Sequence, residues 1–153
     1  MKAGQYFALV SGIFFLLLGI MGLIPGLVEY GDATSSASEA YGMAYGYIAG
    51  FIPTNGIHDF IRISVGLLGI AASISLDSSR IYSRLVAVSY GLFAVLGLIP
   101  YTNTFFGTVP IFGSDVLLHG LSAAIAFYYG FVESPGLLEL SNRNPQQNPQ
   151  ETL

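Results

Sequence analysis

The 153-residue chain contains no cysteine and few charged residues. The absence of cysteine excludes disulfide bonds, thiolate catalysis and cysteine-held iron–sulfur clusters. Charged residues make up 9% of the chain, whereas an average soluble domain has about 25%. Lys and Arg together number only 5 and the net charge is −4, so neither nucleic acid binding nor a polybasic lipid-binding patch is expected.

Apolar residues are abundant instead: they account for 53% of the chain, and mean hydropathy is +0.65. They stand in long blocks rather than in the single stripe of an amphipathic helix. Such blocks are typical of membrane-spanning helices, which need about 20 apolar residues to cross a hydrocarbon core of ~30 Å.

Four apolar runs predict four spans, at residues 6–24, 57–76, 81–99 and 115–132. The first run is longer than the hydrophobic part of a usual signal peptide, so we expect a span rather than a cleaved leader. Asn55 is a candidate N-cap of the second helix, and Asp77–Arg80 is predicted to be the tight turn before the third. The expected fold is an all-α, four-span transmembrane helical bundle.

The segments outside the spans differ in composition. Residues 27–55 begin polar and acidic and become aromatic and glycine-rich, which predicts a loop packed over the bundle mouth at the membrane interface. Residues 101–114 have a similar interfacial character. We assign residues 1–133 to the transmembrane domain and residues 134–153 to a polar, proline-broken, disordered cytoplasmic tail.

The chain also contains an internal repeat. Gly-Leu-Ile-Pro ends an apolar run at residues 22–25 and again at 97–100, and Pro-x-x-Gly precedes the next run at 53–56 and 110–113. This pattern predicts two tandem helical hairpins related by an axis along the membrane normal. Small residues at packing spacing would let the helices approach closely, at Gly69/Ser73, Ala87/Gly91 and Gly120/Ala124.

The basic residues predict the orientation. Lys2, Arg80, Arg84 and Arg143 lie in the N-terminal segment, the middle turn and the tail, whereas the two longer loops contain no Lys or Arg. Because four spans place those three segments on one side, the positive-inside rule predicts that both termini are cytoplasmic.

Two ionisable residues open the second span, His58 and Arg62, and two open the fourth, Asp115 and His119. The spacing of four places each pair on one helix face, at the outer mouth of the bundle. We predict a polar intramembrane cluster in which Arg62 pairs with Asp115. Asp59 is predicted to point away from this face and to interact with the helix dipole.

This cluster has a structural and several functional interpretations. Its ion pair and hydrogen bonds could have a purely structural role and fix the register of the two hairpins. It could instead serve a proton or small-solute path continuing past Ser64 or Ser122, bind a metal, or hold haem or another pigment through His58 or His119. A metal site is not predicted, because the i, i+4 pairs are His/Arg and Asp/His and the nearby Arg62 opposes a cation.

The sequence requires no cofactor and shows no catalytic template. Gly-x-Ser-x-Gly, His-Glu-x-x-His and the P-loop pattern are all missing from the chain. No catalytic residue is therefore predicted, and an enzyme is disfavoured.

The motifs resemble those of an uncharacterised bacterial membrane family, domain of unknown function four-three-eight-three (DUF4383). The resemblance rests on residues 22–25, 53–62, 97–100 and 115–119, and it extends from Tyr6 to Val132. Arg62 departs from the family pattern, in which this position is often His. The resemblance implies a four-helix integral membrane protein and supplies no activity. We expect the membrane to be a bacterial inner or thylakoid membrane.

Two function hypotheses follow. The first is a non-catalytic integral membrane protein, either an oligomer or a small accessory subunit of a larger complex, with lipids and other membrane subunits as partners. The alternative is a bundle that carries protons or small solutes, or binds a ligand or cofactor, through His58, Arg62, Asp115 and His119.

Overall fold

A computed structural model describes residues 1–30 and 45–133. These residues are mostly helical, as the all-α prediction requires. The predicted disordered tail and the polar half of the first loop lie outside the described residues. The elements are α1 (Ala3–Gly22), β1 (Val28–Tyr30), β2 (Gly46–Ile48), β3 (Ile52–Thr54), α2 (Gly56–Ala72), α3 (Leu76–Gly97) and α4 (Ser114–Phe127), which a π-helical turn (Tyr128–Val132) continues.

Side-chain caps fix the starts of α2 and α3. The Asn55 side chain accepts a hydrogen bond from the His58 backbone N–H at 2.9 Å, which confirms the predicted cap. Ser75 Oγ accepts from the Ser78 N–H at 3.1 Å, so α3 begins at Leu76. The predicted tight turn at Asp77–Arg80 is therefore wrong: those residues form the first turn of α3, and the chain reverses at Ser73–Ser75.

Glycines bring α1 and α2 into close antiparallel contact. A Cβ atom added at Gly12 would lie 2.6 Å from the Ile70 nitrogen and 2.8 Å from the Gly66 carbonyl oxygen. One added at Gly19 would lie 2.6 Å from the Asp59 carbonyl oxygen. Only glycine permits backbones to approach this closely. The first half of the repeat is thus a helical hairpin.

The pairing of α3 with α4 is looser in the middle and tight at one end. A Cβ added at Gly91 would lie 3.8 Å from the Ala123 Cβ, an ordinary van der Waals contact. One added at Gly97 would lie 2.8 Å from Val116 Cγ2 of α4 and would overlap the Ile111 carbonyl oxygen in the loop before α4. The two helices are antiparallel, so the second half of the repeat is also a hairpin. We call the end of the molecule at Ser73–Ser75 the turn end and the opposite end, where α2 and α4 begin, the loop end.

A small antiparallel sheet, in the order β1-β2-β3, covers part of the loop end. The sequence predicted an interfacial loop here and did not predict strands. A turn at Ala49 and Gly50, both with positive φ (51° and 79°), joins β2 to β3. Ile48 and Thr54 are buried on the inner face of this sheet, so β3 supplies a hydroxyl to the interior.

The second loop, residues 98–113, folds over the starts of α2 and α4. Asn55 Nδ2 donates to the Thr108 carbonyl at 2.8 Å, and the Tyr45 hydroxyl donates to the Gly107 carbonyl at 3.0 Å. Burial raises the pKa of Tyr45 above its usual value. The loop is thereby tied to the residue that precedes β2 and to the residue that follows β3.

Large apolar side chains are exposed on the outer faces of all four helices. Examples, one per helix, are Val10 (62% exposed), Leu68 (63%), Leu85 (65%) and Leu117 (68%). Two helical stretches, Ala3–Gly22 and Ser114–Val132, are long and apolar enough to cross a membrane. Only 33% and 22% of the residues in their most apolar windows are buried. Length and composition thus support two of the four predicted spans.

Candidate functional site

A group of buried polar side chains lies at the loop end, between β3, α2 and α4. We call it the polar cluster; its members, none more than 3% exposed, are Thr54, His58, Asp59, Arg62, Asp115 and His119. The structure brings together all four residues that the sequence singled out. The i, i+4 spacing on α2 and on α4 turns each pair toward the other helix, as an amphipathic spacing requires.

Arg62 links three elements through its guanidinium. Nη2 lies 2.6 Å from Asp115 Oδ1 and donates to the Pro53 carbonyl at 3.3 Å. Nη1 donates to Thr54 Oγ1 at 2.9 Å and lies 3.5 Å from Asp59 Oδ1. Because Asp115 belongs to the second hairpin and the other partners to the first, Arg62 joins the two halves of the repeat.

Asp59 corrects one expectation from the sequence. It was predicted to point away from Arg62, yet it is 1% exposed and its Oδ1 accepts a hydrogen bond from the Thr54 hydroxyl. The carboxylate occupies space that the missing side chain of Gly22 leaves on α1, where any Cβ would overlap it. Thr54 could not be predicted as a member of the polar cluster either, because its position depends on strand pairing that the sequence did not reveal.

The two histidines share the second oxygen of Asp115. His119 Nδ1 lies 3.0 Å from Asp115 Oδ2, and His58 Nε2 lies 3.7 Å from the same atom. The imidazole rings are nearly parallel, with centroids 5.9 Å apart, and Tyr90 packs edge-on against His119. One nitrogen from each histidine and one oxygen of Asp115 lie within 4.8 Å of one another, close enough to hold a metal ion.

A cavity of about 200 Å³ adjoins the cluster. Its wall is mainly apolar and includes Phe93, Phe105 and Val109, while His58, Arg62 and His119 supply the polar part. Ser64 and Ser122, which a path through the bundle would have to pass, do not border it. The cavity is therefore a local chamber under the second loop.

The fold and the site together describe a mostly helical chain with apolar outer faces and a buried polar cluster. The sequence model of the family described as Domain of unknown function (DUF4383) matches residues 5–132. The chain belongs to this family, which confirms the resemblance, and the match includes every residue of the polar cluster. No protein of curated function and no solved structure matches the chain.

Proposed function

We propose that this chain is a non-catalytic integral membrane protein with four spans, and that it works as a subunit of a membrane assembly. The assembly consists either of copies of the chain or of the chain with other membrane proteins. One observation carries the proposal: large apolar side chains face outward on all four helices while Arg62, Asp59 and Asp115 are buried.

That distribution suits lipid as the surrounding solvent. Soluble proteins rarely expose continuous apolar patches larger than a few hundred Å², and their charged residues are seldom fully buried. α2 has 17 residues, or about 26 Å of helix, the lower limit for a span. α3 has 22 residues, and its charged Asp77, Arg80 and Arg84 lie in its first turns, within reach of headgroups.

The described basic residues support the proposed orientation. Lys2, Arg80 and Arg84 lie at the turn end, whereas the described segments of the loop end contain no exposed Lys or Arg. By the positive-inside rule, the turn end faces the cytoplasm of a bacterial inner or thylakoid membrane. Glu133, the last described residue, lies at the same end as Lys2, which supports the proposal that both termini are cytoplasmic.

Two features support a subunit role rather than catalysis. The Arg62 guanidinium is engaged by oxygens of Pro53, Thr54, Asp59 and Asp115, so this charge is used within the chain. Outside the helices, the described residues form only the small sheet, the second loop and short connections. Within the described residues, the apolar exterior of the bundle is then the surface that we propose for a partner.

Native mass spectrometry in polymer nanodiscs tests the subunit role. We expect an assembly heavier than the 16.3 kDa chain, with an integer number of subunits. An unrelated four-span protein purified in parallel controls for non-specific co-purification. A particle that contains a single 16.3 kDa chain and no other protein at stoichiometric amount would contradict the proposal.

The cavity favours a second candidate function, the binding of a small ligand. Its volume of about 200 Å³ lies below the roughly 300–1,000 Å³ of typical ligand pockets, which argues against haem or chlorophyll. A small apolar molecule with one hydrogen-bonding group would fit the walls. The proton or solute path receives less support, because Ser64 and Ser122 do not border the cavity.

Filling the cavity tests this candidate. Val109→Phe places a ring in the chamber, whereas Val88→Phe adds the same ring to the exposed face of α3. Solvent extracts of the two purified variants are compared with wild type by mass spectrometry. A small molecule present in wild type and Val88→Phe but lost from Val109→Phe supports ligand binding, and identical extracts contradict it.

A further inference from the structure

The positions of three ligand atoms match the coordination of a single ion. Asp115 Oδ2 is 3.0 Å from His119 Nδ1 and 3.7 Å from His58 Nε2. A tetrahedral ion with bonds of about 2.0–2.1 Å holds its ligand atoms about 3.3–3.4 Å apart. The distances of 3.0 and 3.7 Å lie on either side of that value, and all three ligand atoms lie within 4.8 Å of one another, so side-chain shifts that bring the two imidazole nitrogens to a similar separation would complete the geometry.

The orientation of the Asp115 and His119 side chains also supports a bound ion. Asp115 Oδ2 and His119 Nδ1 are close enough for a hydrogen bond, yet within the described part of the chain neither atom has a hydrogen-bond partner. Buried polar atoms that lack a hydrogen-bond partner destabilise a fold. Two ligands of one ion direct their lone pairs at the ion rather than at each other, which accounts for the close approach without a hydrogen bond.

The net charge of the polar cluster is a further reason to expect a cation. The buried carboxylates of Asp59 and Asp115 face one guanidinium, that of Arg62, so the cluster carries a net charge of −1 when both histidines are neutral. Burying an unbalanced charge is costly. A divalent cation beside Asp115 Oδ2 changes the total to +1, and an anionic donor at its remaining coordination position would bring it to zero. Because Arg62 is bonded to Oδ1, the guanidinium leaves Oδ2 available for the cation.

The structure also removes the objection to a metal site that was raised from the sequence, namely the mixed residue pairs and the nearby Arg62. Each helix alone offers a mixed pair, His58/Arg62 on α2 and Asp115/His119 on α4. Across the two helices, however, the groups that meet are His58, Asp115 and His119. Arg62 acts behind them and orients the carboxylate, as groups around a metal site commonly do.

The geometry points to a binding site for one divalent first-row transition-metal ion, held by His58, Asp115 and His119. Two imidazole nitrogens and one carboxylate oxygen suit Zn²⁺ and similar ions, whereas Mg²⁺ and Ca²⁺ prefer oxygen alone. Since His58 and His119 border the cavity, a fourth coordination position faces the chamber and accepts water or a small donor molecule. The inference is independent of the subunit role.

A Co²⁺ titration of the tag-free protein in detergent tests the site, because tetrahedral Co²⁺ gives strong visible absorption that Zn²⁺ abolishes on displacing it. We expect saturation at one equivalent and Cu²⁺ electron paramagnetic resonance with coupling to two nitrogens. His58→Gln and His119→Gln should each weaken binding more than 100-fold. Asp77→Asn, which removes an exposed carboxylate at the turn end, should leave binding unchanged.

Either of two results would contradict the proposed metal site. One is a wild-type protein that gives only the weak absorption of hydrated Co²⁺ and no nitrogen coupling with Cu²⁺. The other is a folded His119→Gln variant, judged by circular dichroism and elution volume, that binds the ion as tightly as wild type. If both histidine variants fail to fold, the wild-type spectra decide alone.

Discussion

At the scale of single residues, Arg62 shows how a charge can be buried in this chain. Removing an ion from water costs several kcal/mol, which only good geometry and additional hydrogen bonds offset. Arg62 has both, with Asp115 at 2.6 Å and the Thr54 hydroxyl at 2.9 Å. Its value to the fold lies in joining the two hairpins, since a misplaced hairpin would leave the guanidinium and Asp115 unpaired.

A double-mutant cycle tests this pairing. Arg62→Leu and Asp115→Leu should each destabilise the protein by about 3–5 kcal/mol, because each leaves a buried charge without its partner. The double variant should lose less than the sum of the two. Unfolding is measured in detergent with excess EDTA, so that a bound metal does not contribute.

The matched control is Asp77→Asn, which removes an exposed carboxylate 3.4 Å from Arg80. Asp77 is 80% exposed although Arg80 is largely buried, so water screens the pair and the asparagine amide oxygen can still accept from Arg80. This variant should therefore unfold close to wild type. Losses at Arg62 and Asp115 that are strictly additive would contradict the pairing.

The same residues show how far the sequence could predict the site. The spacing of His58 with Arg62 and of Asp115 with His119 was sufficient to predict one cluster, because helical period and repeat symmetry are local properties. Asp59 was misplaced because its direction depends on Gly22 of another helix. The sequence around Asp59 contains no pattern that would predict a contact with a glycine on a different helix.

At the scale of elements, the contact between α1 and α2 depends on glycine. Gly12→Ala should destabilise the protein by about 1–3 kcal/mol, because its Cβ would meet the backbone of α2. Gly91→Ala is the matched control: its Cβ meets only the Ala123 side chain, at 3.8 Å, and alanine favours helix by up to about 1 kcal/mol.

Thermal unfolding of the two variants in the same detergent provides the measurement. Gly91→Ala should match or exceed wild type while Gly12→Ala unfolds earlier. Equal stability of the two variants would show that the close approach of α1 to α2 is not required.

Elements were predictable to different degrees. Long apolar runs indicated the four helices, because each run contains many residues with the same preference. The three-residue strands carry too little pattern of their own, and they form where β2 pairs with both neighbours. The start of α3 moved five residues, from Ile81 to Leu76, since the Ser75 cap outweighed the polar composition that suggested a turn.

At the scale of the whole molecule, the proposed topology places the two ends of the bundle on opposite sides of a membrane. The chain contains no cysteine, so single cysteines can be introduced without background. In right-side-out vesicles, an impermeant maleimide should label Tyr101→Cys, at a residue 92% exposed at the loop end. It should label Ser78→Cys, at the turn end, only after the vesicles are opened.

Gel shift of the labelled protein measures both reactions. Labelling of both positions from the same side would contradict four spans. The reverse pattern, with Ser78→Cys labelled in closed vesicles, would keep the four spans and contradict the orientation.

The partners of Arg62 also imply an order of assembly in the proposed membrane bundle. Pro53, Thr54 and Asp59 all precede or closely neighbour Arg62 in the chain and belong to its own hairpin. They can contact the guanidinium before Asp115 has been synthesised. The first hairpin can therefore enter the bilayer with part of the hydrogen bonding of its arginine in place, and Asp115 of the second hairpin then supplies the closest ion pair, at 2.6 Å.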